Sequence, residues 1–532
     1  MHRMRTIFRG AIAAILLGCA TLPARAETPK DTLVQAYRID DIISLDPAEV
    51  FEFSTTEYIN QVYDRLIYYN AQDPANFLPG IAESWTVADD GKSYSFKIRD
   101  GVKFHSGNPL TAEDAAYSIR RAIKLNLSPA FIVGQFGLTA ENVDTMVTAP
   151  DARTLVFRTD KAYAPSFVLN CLSATVSSVV DSKVVEANAK NGDFGHEWLN
   201  THSAGSGPYE LGGWKPNESL VMNRFDDYWR GKPGFKRIFF RHVLDPTSQL
   251  LLLQKGDVDI ARGLTGEQLE SLKSNPDVTV QEVPRGTLWY LSMNTQTEPL
   301  KKVEVRQALK YLIDYQGMAD SFMKGLAVPH ENFLPKGFLG ALDDLPFKLD
   351  VDKAKQLLAQ GGYPNGFQIS IDVPNGSPYL EMAQSIQATF AKAGVELQII
   401  ASDDKQQTSK IRSRKYQTAI GRWGPDYQDP HTNAQNFGMN LDNGENPPMK
   451  TTAWRTSWDI PELTRQTEAA VLETDTAKRQ AMYADLQRQI RDTGPYAFMF
   501  QQVETVAARK NVQGLVWGPG TENDFFWQGS KQ

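Results

Sequence analysis

Cysteine is almost absent: the 532 residues contain two, Cys19 and Cys171. Cys19 falls in an N-terminal segment read below as a leader, and a chain left with Cys171 alone closes no internal disulfide. Phe167, Val168, Leu169 and Leu172 surround Cys171 in sequence, which marks it as a small buried apolar side chain and not a nucleophile. Histidine is scarce too, with seven residues and no two within four positions of each other, so the clustered spacing of a zinc site does not occur. No G-x-S-x-G, H-E-x-x-H, G-x-x-x-x-G-K-[ST] or G-x-G-x-x-G is present, which removes the motif-bearing hydrolases, zincins and nucleotide-binding enzymes. The expectation is therefore a protein that is not an enzyme and holds neither metal nor cofactor. Positive charge is not in excess either: 56 basic residues face 63 acidic ones, a net of −7. Nothing there recruits nucleic acid or an anionic membrane.

Long apolar runs are missing as well. The longest, residues 11–17, is far short of the ~20 residues a bilayer span needs. It follows Arg3, Arg5 and Arg9 and precedes Ala24-Arg25-Ala26, the arrangement of a cleaved export signal. Leu16-Leu17-Gly18-Cys19 offers an alternative reading as a lipid-attachment site that would tether the chain at Cys19. What remains is too long for one hydrophobic core and suggests about three units of ordinary domain size.

The most informative stretch is residues 80–122. Tyr94, Phe96 and Ile98 alternate with Ser95, Lys97 and Arg99, the period of a strand with one buried face. Asp89-Asp90-Gly91 and Asp100-Gly101 supply the flanking turns. Thr111 followed by Glu113 and Asp114 then opens a helix carrying Tyr117, Ile119 and Ala122. A second block contains Gly205-Ser206-Gly207-Pro208-Tyr209 and Tyr228-Trp229-Arg230-Gly231-Lys232-Pro233, in which glycines and prolines set turns over packed aromatics. A helix with Leu250 to Leu253 precedes Gly256-Asp257-Val258-Asp259-Ile260-Ala261. From residue 350 onward helical and strand patterns alternate, as in an α/β unit.

Taken together, these motifs resemble the signature of the family 5 extracytoplasmic solute-binding proteins, the peptide- and nickel-binding receptors of ABC importers. The resemblance implies an α/β fold, a two-lobed periplasmic binding protein (type II, cluster C) with an extra subdomain in the first lobe. It divides the chain into a signal peptide (1–26), a first part of lobe I (27–50), the extra subdomain (51–200), a second part of lobe I (201–288), lobe II (289–497) and a C-terminal return to lobe I (498–532). The hinge is expected on residues 286–295 and 496–506. The implied work is capture without turnover: a monomer in the periplasm closes on a small peptide and delivers it to inner-membrane ABC permease subunits served by a separate cytoplasmic ATPase. Receptors for nickel chelates, opines or amino-acid conjugates, and a periplasmic chaperone or sensor on the same fold, remain as alternatives.

The best candidate for ligand capture is the loop Arg422-Trp423-Gly424-Pro425-Asp426-Tyr427-Gln428-Asp429-Pro430. It follows a strand's carboxyl end, where open α/β sheets place ligands. In peptide-binding relatives a W-x-x-D-x-x-D-P loop uses its first Asp for the ligand's α-amino group and its Trp as pocket wall, which carries over to Asp426 and Trp423. Gly424, Tyr427 and Arg422 belong to the same loop. Glu52 and Phe53, with Ser54 beside them, match the cleft mouth, and Tyr290 and Asn294 match the hinge strand. Asp429 is expected to be only a turn former. One departure stands out: dipeptide receptors of this family place an arginine for the ligand carboxylate near the segment matching residues 373–379, and this chain has none there. Arg422 or Arg285 could substitute, and a longer peptide or a modified amino-acid conjugate such as an opine would also fit.

Overall fold

The structure is a computed structural model that describes residues 27–532 except 71–72 and 74–75. The expected leader, with Cys19, lies outside the described residues. An 11-stranded mixed sheet runs through the molecule. At one end Thr32–Tyr37 pairs in parallel with Arg237–His242 and Ile260–Ala261, and Ser219–Arg224 and Tyr209–Lys215 extend that edge antiparallel. At the other end Phe367–Pro374 pairs in parallel with Val395–Ser402 and Thr418–Trp423. These two ends are the sheets of two lobes.

Two long antiparallel strands, Val278–Met293 and Tyr496–Arg509, pass through both lobes. Their pairing runs from Val278 opposite Arg509 to Pro284 opposite Val503, breaks, and resumes with Leu288 opposite Gln501. Pro284 has no N–H to give to a ladder, so the two strands are loosened between Pro284 and Leu288, where one lobe passes into the other.

A separate antiparallel sheet orders Ala82–Val87, Ser93–Ile98, Thr154–Arg158 and Val147–Asp151. Tyr94, Phe96 and Ile98 turn inward and are sealed from solvent, as their alternation requires. Beneath them lies the helix Ala112–Leu125, whose Thr111 and Asp114 form a capping box and whose Ala115, Ile119 and Ala122 join the same core. Gly91 and Gly101 take positive φ of 67° and 77° at the two turns, a conformation that costs other residues energy.

The second sequence block is architectural. A Cβ at Gly205 would lie 2.0 Å from the carbonyl oxygen of Val62, and one at Gly207 2.6 Å from its carbon, so both glycines let the chain cross the end of the helix Phe53–Val62. Tyr228 Oη and Trp229 Nε1 donate to the buried carboxylate of Asp64 at 3.2 and 3.0 Å, joined by Tyr68 at 2.9 Å and Ser206 at 3.0 Å. Burial raises the Asp64 carboxyl above the usual range, and four donors keep it satisfied. Among the described residues no helix is long and apolar enough to cross a membrane.

Candidate functional site

Two adjoining cavities, of about 270 and 220 Å³, open between the lobes and share Phe53, Gly424, Pro425, Gln428 and Glu522 in their walls. The loop after the strand Thr418–Trp423 runs through both. Because successive strand residues point to opposite faces, Arg422 lines the second cavity while Trp423 turns into the second lobe. There its Nε1 donates to Asn433 Oδ1 at 3.3 Å and its ring packs at 6.3 Å from Phe437.

Asp426 lines the first cavity. Its backbone N–H is held by Thr432 Oγ1 at 3.1 Å, but among the described residues no cation pairs with its carboxylate. Burial alone lifts its pKa to about 7, the behaviour of a desolvated acid without a partner. Asn170, Tyr427, Gln428 and Asn523 belong to the same wall, and one side-chain oxygen of each is buried without a hydrogen-bond partner among the described residues. Glu522, also in this wall, accepts from Gln428 Nε2 at 2.7 Å. The first cavity therefore offers two carboxylates and several orphaned acceptors, with no His, Cys, Lys or Arg in its wall. Phe51 and Phe53 stand half-exposed at its mouth, the former edge-on to Phe131 at 6.2 Å.

The second cavity rests on a buried ionic cluster. Arg262 pairs with Glu57 and, at 2.6 Å, with Glu504. Arg285 reaches Glu504 at 2.8 Å and forks onto Asp524 with two bonds of 2.9 Å. Burial works against charge throughout; even so, Arg262 and Arg285 hold Glu504 down at about 2, whereas desolvation carries Glu57 up to about 7. Tyr37 covers Arg262 with its ring, 4.2 Å from the guanidinium carbon. Arg422 stands apart from this cluster, exposed and without an ion pair or hydrogen-bond partner among the described residues.

The structure thus gathers Phe53, Arg422, Gly424, Asp426 and Tyr427 in the walls of the cleft. Four other expected residues lie elsewhere. Trp423 is on the far face of its strand. Glu52 precedes the helix Phe53–Val62, and its carboxylate accepts from the N–H of Phe51 at 3.2 Å. Tyr290 is buried in an aromatic cluster, with ring centroids 5.2 Å from Phe437 and 6.1 Å from Tyr496. Asn294 donates to the carbonyls of Arg414 and Tyr416, both at 3.0 Å, fastening a strand end. Two further expectations are corrected. Arg285 is consumed by Glu504 and Asp524, and Asp429 is more than a turn former. It caps the helix Pro430–Gly438 through the N–H of His431 at 2.9 Å and forms a buried pair with Arg479. Asn170, Glu522 and Asn523 were invisible to sequence reasoning because they arrive from the extra subdomain and the C-terminal tail.

Residues 76–445 match the model of the bacterial extracellular solute-binding proteins, family 5 Middle. The chain belongs to that family. This solute-binding protein is 28% identical over 525 residues to the probable D,D-dipeptide-binding periplasmic protein DdpA of Escherichia coli (strain K12), a match covering 97% of this chain and 98% of that one. It is 27% identical to the dipeptide-binding protein of the same strain, over 90% of this chain and 91% of the other. Its fold is also that of HbpA2 from Haemophilus parasuis, with a TM-score of 0.80 at 24% identity over 94% of this chain and all of that one. The two-lobed architecture described above is the architecture of these proteins, and the members of the family are binding proteins.

Proposed function

We propose that this protein is the substrate-binding component of an ABC importer for peptides, exported to the periplasm through the leader 1–26 and acting there as a monomer with membrane permease subunits and a separate cytoplasmic ATPase. The observation that carries the peptide reading is the unpaired, desolvated carboxylate of Asp426 in a cavity of acceptors. Such a site favours a ligand cation with several N–H donors, and a peptide's terminal ammonium is one. The dipeptide specificities in the names of the two E. coli relatives point the same way.

Capture then follows from the geometry. Asp426 attracts the ammonium; the side-chain oxygens of Asn170, Gln428 and Asn523 compete for its two remaining N–H groups; Phe53 stands at the mouth. Closure about the loosened strands between Pro284 and Leu288 would bury the ligand between the lobes. No bond is made or broken. The test is mass spectrometry of ligand retained by protein purified from its host, together with calorimetry against a library of short peptides. A retained peptide with a free amino terminus is the expected result; recovery of no ligand and no heat from any peptide would overturn the reading.

A further inference from the structure

We infer that Arg422 is the carboxylate anchor of this receptor, so that the bound solute lies with its ammonium end in the Asp426 cavity and its free carboxylate in the adjoining one. The inference rests on the peptide reading and adds ligand orientation and a requirement for two free termini.

Three arginines line the second cavity, and the structure distinguishes them. Arg262 and Arg285 are ion-paired with Glu57, Glu504 and Asp524; Arg262 Nη2 has no hydrogen-bond partner among the described residues, but that side chain is sealed from solvent. A ligand carboxylate drawn to either would have to displace a buried carboxylate already held by two bonds, as Asp524 is on Arg285. Arg422 has no such competitor, and its guanidinium presents a planar fork suited to a carboxylate. Asp426 belongs to the wall of the first cavity alone and Arg422 to that of the second alone, so an unpaired acid and an uncommitted guanidinium stand in neighbouring walls, with Glu522 common to both. The cavities adjoin along Phe53, Gly424, Pro425, Gln428 and Glu522, and of these Gly424 and Pro425 put the least side-chain bulk between them. Arg422 and Asp426 are four residues apart, at most about 14 Å between their Cα atoms, so a peptide of a few residues is long enough to reach both. C-terminal amides and N-acylated conjugates each leave one group unmatched.

The experiment presents the protein with equimolar mixtures of free dipeptides and tripeptides, and separately with the same mixtures C-terminally amidated, and reads bound species by native mass spectrometry. For the wild type the amides should bind about tenfold to a hundredfold more weakly, the range for losing a hydrogen-bonded charge. Arg422→Gln should bind free acids and amides alike while still rejecting N-acetylated peptides, and Arg422→Lys should restore part of the preference. Equal retention of acids and amides by the wild type, or an unchanged preference in Arg422→Gln, overturns the assignment of Arg422 and leaves the peptide reading standing. Retention of nothing from either mixture removes both.

Discussion

Arg479 grips Asp429 with both arms of its guanidinium, Nη2 to Oδ1 at 2.7 Å and Nη1 to Oδ2 at 2.9 Å, with both side chains sealed from solvent. Three residues earlier in the same loop, Asp426 faces the cleft without a cation. One acid is spent on the fold and the other is held open. Arg479 also donates to Ser166 and Asp429 accepts from Asn170, so the pair ties the second lobe's loop to the helix Pro165–Leu172 of the extra subdomain.

Asp429→Ala is therefore expected to damage stability more than affinity. Removing the carboxylate strands the Arg479 charge in the interior, at a cost of about 3 to 5 kcal/mol. The unfolding midpoint should fall well below that of Asp426→Ala, while protein that remains folded binds within a few-fold of wild type. Equal midpoints for the two variants would show that the buried pair is dispensable.

Asp426→Asn is expected to stabilise the ligand-free protein at high pH. In the unfolded chain the carboxyl ionises near 3.9, whereas burial raises it to about 7 in the fold. The folded state therefore holds the extra proton between those values, and stability is lost as pH rises through about 7. Partial exposure to the cleft water reduces the loss to about 1 to 2 kcal/mol at pH 8. Thermal melts at pH 5 and pH 8 check the sign: the variant's advantage should be greater at pH 8, and an advantage confined to pH 5 would reverse the argument.

Much of the fold could be read from local pattern. The alternation of Tyr94, Phe96 and Ile98, the capping pair Thr111 and Asp114, and the two flanking glycines are decided within a few residues, and the structure shows each in place. From sequence the strand ended before Arg422, and the family resemblance put both Arg422 and Trp423 in the pocket; the strand in fact runs to Trp423, and its period of 2 turns the two residues to opposite faces. Long-range partners were out of reach. The loop marked Asp429 only as a turn former before Pro430, because Arg479, which makes it half of a buried pair, lies 50 positions further on. Arg285 looked available for the same reason: Asp524, which holds it, is 239 positions away.

Ligand should draw the lobes together. Contacts already span the cleft at Gln428 with Glu522, at 2.7 Å, and at Tyr69 Oη with the carbonyl of Gly337, at 2.9 Å, and a ligand bridging both walls adds to them. Small-angle scattering should show a smaller radius of gyration with saturating peptide than without it. Gln428→Ala, which removes one strut, should bind more weakly and close less completely. Superimposable scattering curves with and without ligand would rule out capture by closure.

The pH dependence of affinity offers the sharpest test of Asp426. At about 7 in the free protein, its carboxyl must shed a proton to pair with an ammonium, so binding weakens tenfold per pH unit once the pH falls below that value. Between pH 7.5 and pH 5.5 the loss should be roughly twentyfold, whereas a carboxyl at the ordinary value of about 3.9 would give almost none. Above pH 8 the peptide's own amino group deprotonates, so affinity passes through a maximum in the mid-sevens. Asp426→Ala should bind roughly a hundredfold more weakly at that maximum, since the ligand's charge then enters the cleft unpaired, and the acid limb should flatten. Glu57, raised by burial beneath the second cavity, and, away from the cleft, Glu331 and Lys310, each at about 7, also titrate toward this window. Calorimetry on Asp426→Ala separates Asp426 from the rest: a limb that survives the substitution belongs to another group, and an affinity within a few-fold of wild type puts the amine anchor elsewhere.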